Sequence, residues 1–193
     1  ILCALIVLLV ICSIPISAQE SLAAKLTRLH VIANSDSDAD QQLKLKVRDA
    51  VLQASSGFKS VYTVNGDVNQ AVLLVMTKAA QDEVYRNGYN YNVDVKVNRV
   101  YFDTREYDGF SLPAGMYNAL QVIIGDGKGK NWWCVLFPPL CAGAAQGKIE
   151  DVARAAGLSD DEISLICEDG KGYVLKFKSI ELINKIWTFL KKR

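Results

Sequence analysis

The pattern of apolar and polar positions changes period between residues 28 and 57. "RLHVIA" (28–33) alternates from side to side, which predicts a short strand. From Leu43 to Ala54 apolar residues recur on one helical face, and "SSG" (55–57) predicts the end of that helix. Within the polar stretch "NSDSDAD", two residue pairs have the spacing of an N-cap and its partner: Asp38 with Gln41, and Ser37 with Asp40.

A second helix and several strands are predicted further along. An apolar stripe runs from Val68 to about Arg86, with Asp67 and Gln70 as a capping pair. "TREYDGFSLPAG" is turn-rich and predicts a surface loop. The segments predicted as strands are "NVDVKVNRVYF" (92–102), "YNALQVIIG" (117–125) and "WWCVLF" (132–137). The last two are joined by "DGKGKN", which predicts an antiparallel hairpin.

The remaining sequence completes the predicted fold. "AGAAQGK" (142–148) is small in composition and predicts a mobile connector. "YVLKF" (173–177) predicts another strand, and an apolar stripe from Ile180 to Leu190 predicts a final helix. The predicted class is α/β or α+β: a single domain with a mixed sheet and flanking helices, preceded by an apolar segment.

The apolar segment covers residues 1–18, which carry no charge. Its composition and its small residues Ser17 and Ala18 are typical of a secretory signal peptide. An uncleaved membrane anchor is the alternative, because the segment approaches the roughly 20 residues that span a bilayer. Either reading makes residues 19–193 an exported domain, and membrane association through residues 1–18 remains open.

The overall charge argues against one class of partner. The chain has 22 basic and 21 acidic residues, so the charges nearly cancel. A general nucleic-acid-binding protein would carry a strongly basic face. No nucleic-acid partner is therefore expected.

Export changes how the cysteines are interpreted. Cys134 and Cys141 flank "VLFPPL", whose prolines bend the chain and shorten the path between its ends. A disulfide between them is plausible in an oxidising compartment, and two buried free thiols are the alternative. With Cys167 the exported domain has an odd number of cysteines, which leaves one thiol over.

Candidate chemistry is sparse. His30 is the single histidine, and a zinc site usually needs several His or Cys ligands. The aspartates that begin at Asp36 imitate the start of a calcium loop, but Gln41 stands where the sharp turn needs glycine. "GDGKGKN" lacks phosphate-loop spacing. Trp132 and Trp133 form either a binding platform or an ordinary strand pair on opposite faces. No metal or cofactor is expected.

Two blocks then resemble a known family. "HVIANSDSDADQQLKLKVRDAV" (30–51) and "GKNWWCVLFPPLC" (129–141) are similar to the stage II sporulation protein R family. Tyr117–Ile124 and "YVLKFKSIEL" (173–182) are also similar, so the resemblance covers most of the predicted exported domain.

The resemblance implies a signal between the two compartments of a sporulating cell rather than an enzyme. Members of this family are made in the forespore and exported into the space between the two membranes of a sporulating cell. There they activate a membrane-embedded aspartic protease of the mother cell, which processes a pro-sigma factor. That protease is the partner that the resemblance implies.

Two explanations of the polar stretch remain open. We expect His30, Asn34, Ser35 and Asp36 to contact the partner, because they form a compact polar motif without a complete catalytic set. The alternative is a helix cap beside a buried histidine. Rival functions are an exported hydrolase that uses His30 and a cysteine (Cys134, Cys141 or Cys167), and an exported ligand-binding domain.

Overall fold

The structure is a computed structural model that describes residues 19–63 and 66–167 of the 193-residue chain. The helices are α1 (described for 19–25), α2 (Asp38–Ser55), α3 (Gln70–Arg86), α4 (Leu140–Ala145), α5 (Ile149–Ala155) and α6 (Asp160–Cys167). The strands are β1 (Thr27–Ile32), β2 (Val93–Phe102), β3 (Arg105–Tyr107), β4 (Phe110–Leu112), β5 (Gly115–Ile124) and β6 (Asn131–Phe137). The predicted leader (1–18), the strand "YVLKF" and the final helix lie outside the described residues.

The sheet is mixed and has four strands in the order β2-β5-β1-β6. β1 is parallel to β5 and antiparallel to β6. The predicted hairpin of β5 and β6 is therefore wrong, because β1 lies between them. A mixed sheet with flanking helices confirms the predicted fold class.

The chain divides into two compact units. The described residues of the first unit are 19–25, 100–117 and 140–167, and those of the second unit are 26–63, 66–99 and 118–139. No helix in the described parts of the chain is long and apolar enough to cross a membrane.

In the second unit, α2 packs against β1, β6 and α3. The side chains that α2 buries include Leu43, Val47 and Val51, which confirms the apolar stripe predicted for this helix. Ser37 is the N-cap, and its hydroxyl accepts a hydrogen bond from the Asp40 N–H, as one of the two predicted pairs requires.

The helix α3 begins two residues later than its predicted capping pair implies. Asn69 is the N-cap, and its side chain accepts from the N–H groups of Ala71 and Val72. The prediction of Asp67 as cap was wrong, because Asn69, directly before the helix, accepts from the free N–H groups of its first turn.

In the first unit, two segments predicted as irregular are ordered elements. β3 and β4 form a hairpin within the segment predicted as a surface loop, and Phe110–Leu112 are buried. α4 covers part of the segment predicted as a connector. α4 packs on α5, α5 on α6, and α6 on β4. Small and polar sequence can therefore be ordered by packing that local propensity does not reveal.

The helix α1 is joined to α6 inside the first unit by a buried carboxylate. Glu162 is only 6% exposed, and it accepts from Lys25 Nζ at 2.7 Å and from Ser21 Oγ at 2.9 Å. Glu162 also accepts from the Ser159 N–H at 2.8 Å, while the Ser159 hydroxyl accepts from the Glu162 N–H. Glu162 thus completes a capping box and an ion pair with the same side chain.

Replacing Glu162 with glutamine is expected to lower the free energy of unfolding by about 2 kcal/mol, because it removes a charged acceptor of three hydrogen bonds. Burial raises the pKa of Glu162, but its hydrogen bonds, first that from Lys25, lower it by more. The difference in unfolding free energy between the unsubstituted chain and the Glu162→Gln variant should therefore shrink as the pH falls through the lowered pKa of Glu162. Denaturant unfolding measures both effects, with exposed Asp161→Asn as the matched control.

The cysteines differ in state. Cys134 and Cys141 are disulfide-bonded, whereas Cys167 is a free cysteine. The pairing of Cys134 with Cys141 stays a prediction, which mass spectrometry of non-reduced peptides would test.

Candidate recognition site

The turn between β5 and β6, residues 125–130, passes over the end of β1. Because β1 separates the two strands, the turn must cross the chain at 33–36. The turn's N–H groups donate to that segment at 2.7–3.1 Å: Asp126 N to Asn34 Oδ1, Lys128 N to Asn34 O, Gly129 N to Ala33 O, and Lys130 N to Asp36 Oδ1. The segment thus holds the turn in place.

These hydrogen bonds also exclude a phosphate cradle in the turn. The N–H groups of Gly125 and Gly127 donate to Asn92 O and Ile124 O. Every backbone N–H from 125 to 130 therefore already has an acceptor. A glycine-rich loop binds phosphate through such groups, so this turn has a structural role instead.

A buried carboxylate, Asp40, organises the corner between β1 and α2. Asp40 is only 4% exposed, and its Oδ2 accepts from Asn34 Nδ2 at 2.9 Å and from Ser35 Oγ at 2.5 Å. Burial raises the pKa of Asp40, but hydrogen bonds from Ser35, Asn34 and Tyr91 lower it by more. Asp40 therefore stays ionised and fixes the side chains around it.

The corner explains why the sequence reads Asn-Ser-Asp at 34–36. The Asn34 side chain bridges Asp40 and the turn. Its amide N–H donates to the Asp40 carboxylate, and its Oδ1 accepts from the Asp126 N–H of the turn. Ser35 donates to Asp40, and Asp36 accepts from the turn. Of these three side chains, Asp36 is exposed and the other two are half-buried. Each has a structural task, whatever else it contacts.

His30, only 6% exposed, belongs to a different group, a row of side chains that crosses the sheet. In the register, His30 on β1 lies beside Gln121 on β5 and Trp133 on β6. The His30 and Trp133 rings are stacked, with centroids 3.7 Å apart. Gln121 Nε2 lies 3.2 Å from His30 Nδ1, and Asn98 Nδ2 on β2 donates to Gln121 Oε1 at 2.8 Å. We call Asn98, Gln121, His30 and Trp133 the cross-sheet row.

The row fixes the protonation state of His30. Because Gln121 Oε1 accepts from Asn98, the Gln121 Nε2 donates to His30 Nδ1, and the histidine proton lies on Nε2. Burial lowers the pKa of His30, the nearby Asn131 side chain opposes this, and the charge of Arg28 adds to the lowering. His30 is therefore neutral near pH 7.

The structure separates the predicted site residues into two groups. Asn34, Ser35 and Asp36 meet at the corner, whereas His30 lies in the cross-sheet row. Sequence reasoning missed Asp40 and Gln121 as the residues that organise the two groups. The capping pair of Ser37 and Asp40 was a sequence signal for Asp40. No local pattern marks Gln121, because its partners are distant in sequence.

The paired tryptophans lie on opposite faces of the sheet, as alternation along a strand requires. Trp133 stacks on His30, while the Arg48 guanidinium of α2 lies 4.7 Å from the centre of the Trp132 ring. Trp132 therefore faces the helix, and Trp133 faces away from it. Of the two predicted readings, a shared platform is wrong and a strand pair on opposite faces is right.

The geometry does not support a dyad of His30 and Cys134. Cys134 lies beside Leu29 in the register, one position from the pair of His30 and Trp133, so it points to the other face of the sheet. Burial, followed by the charge of Glu150, raises the pKa of the Cys167 thiol, which disfavours the nucleophilic thiolate. Among the described residues, no group of three His, Cys, Asp or Glu side chains could hold a metal ion.

Comparison with known proteins identifies the family. The family model described as "Stage II sporulation protein R (spore_II_R)" matches residues 23–146, which is more than half of the chain. This chain belongs to the stage II sporulation protein R family. A curated relative, the stage II sporulation protein R of Bacillus subtilis (strain 168), is 39% identical over 117 residues, or 59% of this chain. The chain spans about half (52%) of that relative's length. No solved structure matches this chain.

The family match contains both groups of site residues. The corner at 34–40, the turn at 125–130 and the cross-sheet row all lie within residues 23–146. The predicted recognition of this family from "HVIANSDSDADQQLKLKVRDAV" and "GKNWWCVLFPPLC" is confirmed. The first block contains the corner, and the second begins within the turn that the corner holds.

The neutral His30 gives a prediction for the pH dependence of stability. Since the folded pKa is lowered from 6.5, the unfolded chain binds the proton more readily, and stability should fall as the pH drops below about 6.5. The slope has an upper limit of about 1.4 kcal/mol per pH unit. Denaturant unfolding between about pH 7.5 and 5 measures it. The His30→Gln variant should show a smaller slope, and equal slopes would contradict the prediction.

Proposed function

We propose that this chain is an exported signal of sporulation. It is made in the forespore, enters the space between the two membranes, and activates a membrane-embedded aspartic protease of the mother cell. The protease then processes the pro-sigma factor. Membership of the stage II sporulation protein R family is the observation that carries this proposal.

Such a signal needs no chemistry of its own. A ligand activates a receptor when it binds the active state more tightly than the inactive one. An aspartic protease dyad can be built from one carboxylate per chain, so a signal that brings two protease chains together would assemble the dyad. The hydrogen-bonded corner and cross-sheet row suit this role, because a preorganised surface loses little entropy on binding.

The proposed partner contacts lie on the second unit. Asp36 presents an exposed carboxylate from the corner, and Asn34 and Ser35 hold it there. His30 is only 6% exposed, so it would act by supporting the side chains around it. We propose that Asn34, Ser35 and Asp36 contact the protease and that His30 supports the fold beneath them.

The proposed location follows from the apolar residues 1–18, which either direct export or hold the protein at the membrane. Fractionation of sporulating cells tests it. The protein should be found outside the forespore cytoplasm, either free between the membranes or with the membrane fraction. Retention in the forespore cytoplasm would end this proposal.

A reconstituted reaction tests the activation. The purified full-length chain is mixed with membranes that contain the protease and its pro-sigma substrate. A shortened sigma factor should appear only when chain and protease are both present. Membranes without the protease are the control, and substrate cleavage by the chain alone would show that it is an enzyme instead. Absence of processing with a folded chain would overturn the proposal.

A further inference from the structure

Exposed apolar side chains are concentrated on one face of the helix α3. Of the five large apolar side chains that are exposed among the described residues, three lie on this helix: Leu74 (68% exposed), Val75 (42%) and Tyr85 (55%). The helix packs against α2 and buries a separate set of side chains: Val72, Met76, Ala80 and Val84. Apolar residues on two faces are typical of a helix that packs on two sides.

An ion pair divides the exposed face of α3. Lys78 Nζ lies 2.8 Å from Asp82 Oδ2, one turn further along the helix, and both side chains are exposed. Since successive residues of a helix are rotated by about 100°, Leu74, Val75, Lys78, Asp82 and Tyr85 fall within an arc of about the same width. They form one stripe, which is apolar at both ends and charged in the middle. We call these five residues the α3 stripe.

The α3 stripe is complementary to itself when it is turned end to end. Lys78 and Asp82 lie two positions on either side of residue 80, and Val75 and Tyr85 lie five positions on either side of it. A twofold axis that crosses α3 at this point would place Lys78 of each copy against Asp82 of the other, and Val75 against Tyr85. An isologous interface requires this reciprocal pairing of one residue with another.

The charges favour the antiparallel orientation. In a parallel pair with the same face buried, Lys78 would lie beside Lys78 of the second copy and Asp82 beside Asp82, and such like-charge contacts are unfavourable. In the antiparallel pair both contacts between the copies join opposite charges. Leu74, the most exposed of the apolar residues, would face Arg86, whose hydrocarbon stem can cover apolar area.

We infer that a second copy of this chain binds to the α3 stripe, and that the two α3 helices pack antiparallel about a twofold axis near residue 80. The inference goes beyond the proposed function, because it is measured without the protease. One helix from each copy gives an interface below roughly 1,200 Å², so the dimer is weak and depends on concentration. A twofold dimer carries the corner twice, which suits the pair of protease chains proposed above.

Reversing single charges tests the pairing. Sedimentation of the purified full-length chain, in a detergent matched to the buffer in density, should show an equilibrium between monomer and dimer. Lys78→Glu and Asp82→Lys should each weaken the dimer at least tenfold, because like charges then meet across the axis.

Mixing the two single variants restores the opposite charges. In the mixed dimer the new glutamate of one chain meets the new lysine of the other, and the remaining Asp82 meets the remaining Lys78. An affinity-tagged Lys78→Glu chain should therefore capture the untagged Asp82→Lys chain, although neither variant associates with itself. A role of the ion pair within one helix alone would not produce this rescue.

Lys96→Glu is the matched control. Lys96 forms an exposed ion pair with Asp94 on β2, so the same charge is reversed away from α3. This variant should dimerise within twofold of the unsubstituted chain. Residues 1–18 are the same in every variant, so any association through them cancels in the comparison. An unchanged denaturation midpoint shows that each variant is folded.

The other outcomes would overturn the inference. It fails if the unsubstituted chain is monomeric at every concentration, or if both single variants dimerise as strongly as the unsubstituted chain. It also fails if mixing them does not restore the dimer. If Leu74→Glu abolishes binding to the protease while the unsubstituted chain is monomeric, the α3 stripe is a receptor-binding surface instead. An intact dimer that does not activate the protease would end the proposed function alone.

Discussion

Replacing Gly129 with alanine is expected to lower the free energy of unfolding by about 3 kcal/mol or more. An added Cβ would overlap the carbonyl oxygen of Ser35 and would lie 2.5 Å from Ser35 C and 2.9 Å from Ala33 Cβ. The obstructing atoms are mainly backbone, which cannot rotate away. Relief would break the bond from the Gly129 N–H to Ala33 O.

Gly57→Ala is the matched control for this prediction. No atom lies within 4 Å of an added Cβ at Gly57, so the same substitution should be nearly neutral there. Urea unfolding of both variants, followed by far-ultraviolet circular dichroism, measures the difference. Equal stabilities would show that the turn does not press on the chain at the end of β1.

Replacing Asp40 with asparagine is expected to lower the free energy of unfolding by about 2 to 4 kcal/mol. The substituted amide would point a donor at groups that are themselves donors, Asn34 Nδ2 and Ser35 Oγ. Since the pKa of Asp40 is lowered, its contribution to stability is complete near neutral pH and is lost as the pH falls through that lowered value.

Asp38→Asn provides the comparison, because Asp38 lies in the same first turn of α2 but is exposed. Loss of its favourable position at the helix N-terminus should cost less than about 1 kcal/mol. Guanidinium unfolding at pH 7 and at pH 4 measures both variants. An Asp40→Asn effect as small as that of Asp38→Asn would contradict the hydrogen-bonding role of Asp40.

The two long helices, α2 and α3, were the most predictable part of the fold. The apolar stripe of α2 follows from residues three or four positions apart, which one helix brings together by itself, whereas its cap was left open between Ser37 and Asp38. The β3–β4 hairpin was missed because burial of Phe110–Leu112 depends on α6, which is distant in sequence. Local polarity therefore gave the wrong expectation for this segment.

The order of the strands was the main error in the sheet. "YNALQVIIG" and "WWCVLF" are separated by a short turn, and short turns usually join neighbouring strands. The chain instead places β1 between them and carries the turn over its end. Nothing in the period of either strand distinguishes these two arrangements, because both strands alternate in the same way.

The candidate site was predicted in part. The residues at 34–36 were singled out for their compact polar pattern, and they do form a corner. Only the structure shows that Asn34 and Asp36 hold the turn, because their side-chain oxygens accept hydrogen bonds from its N–H groups. The row through His30 was not predicted, because its members come from four different strands.

The sequence by itself determined the family, the mixed fold class and the presence of the two long helices, and it narrowed the cap of the first to two residues, because these depend on residue types and short spacings. Only the tertiary structure decided that β1 lies between β5 and β6, that His30 and Cys134 point to opposite faces, and that Asp40 organises the corner. The reason is that contacts between strands join residues about 90 positions apart, and the local pattern of a strand does not specify its neighbour.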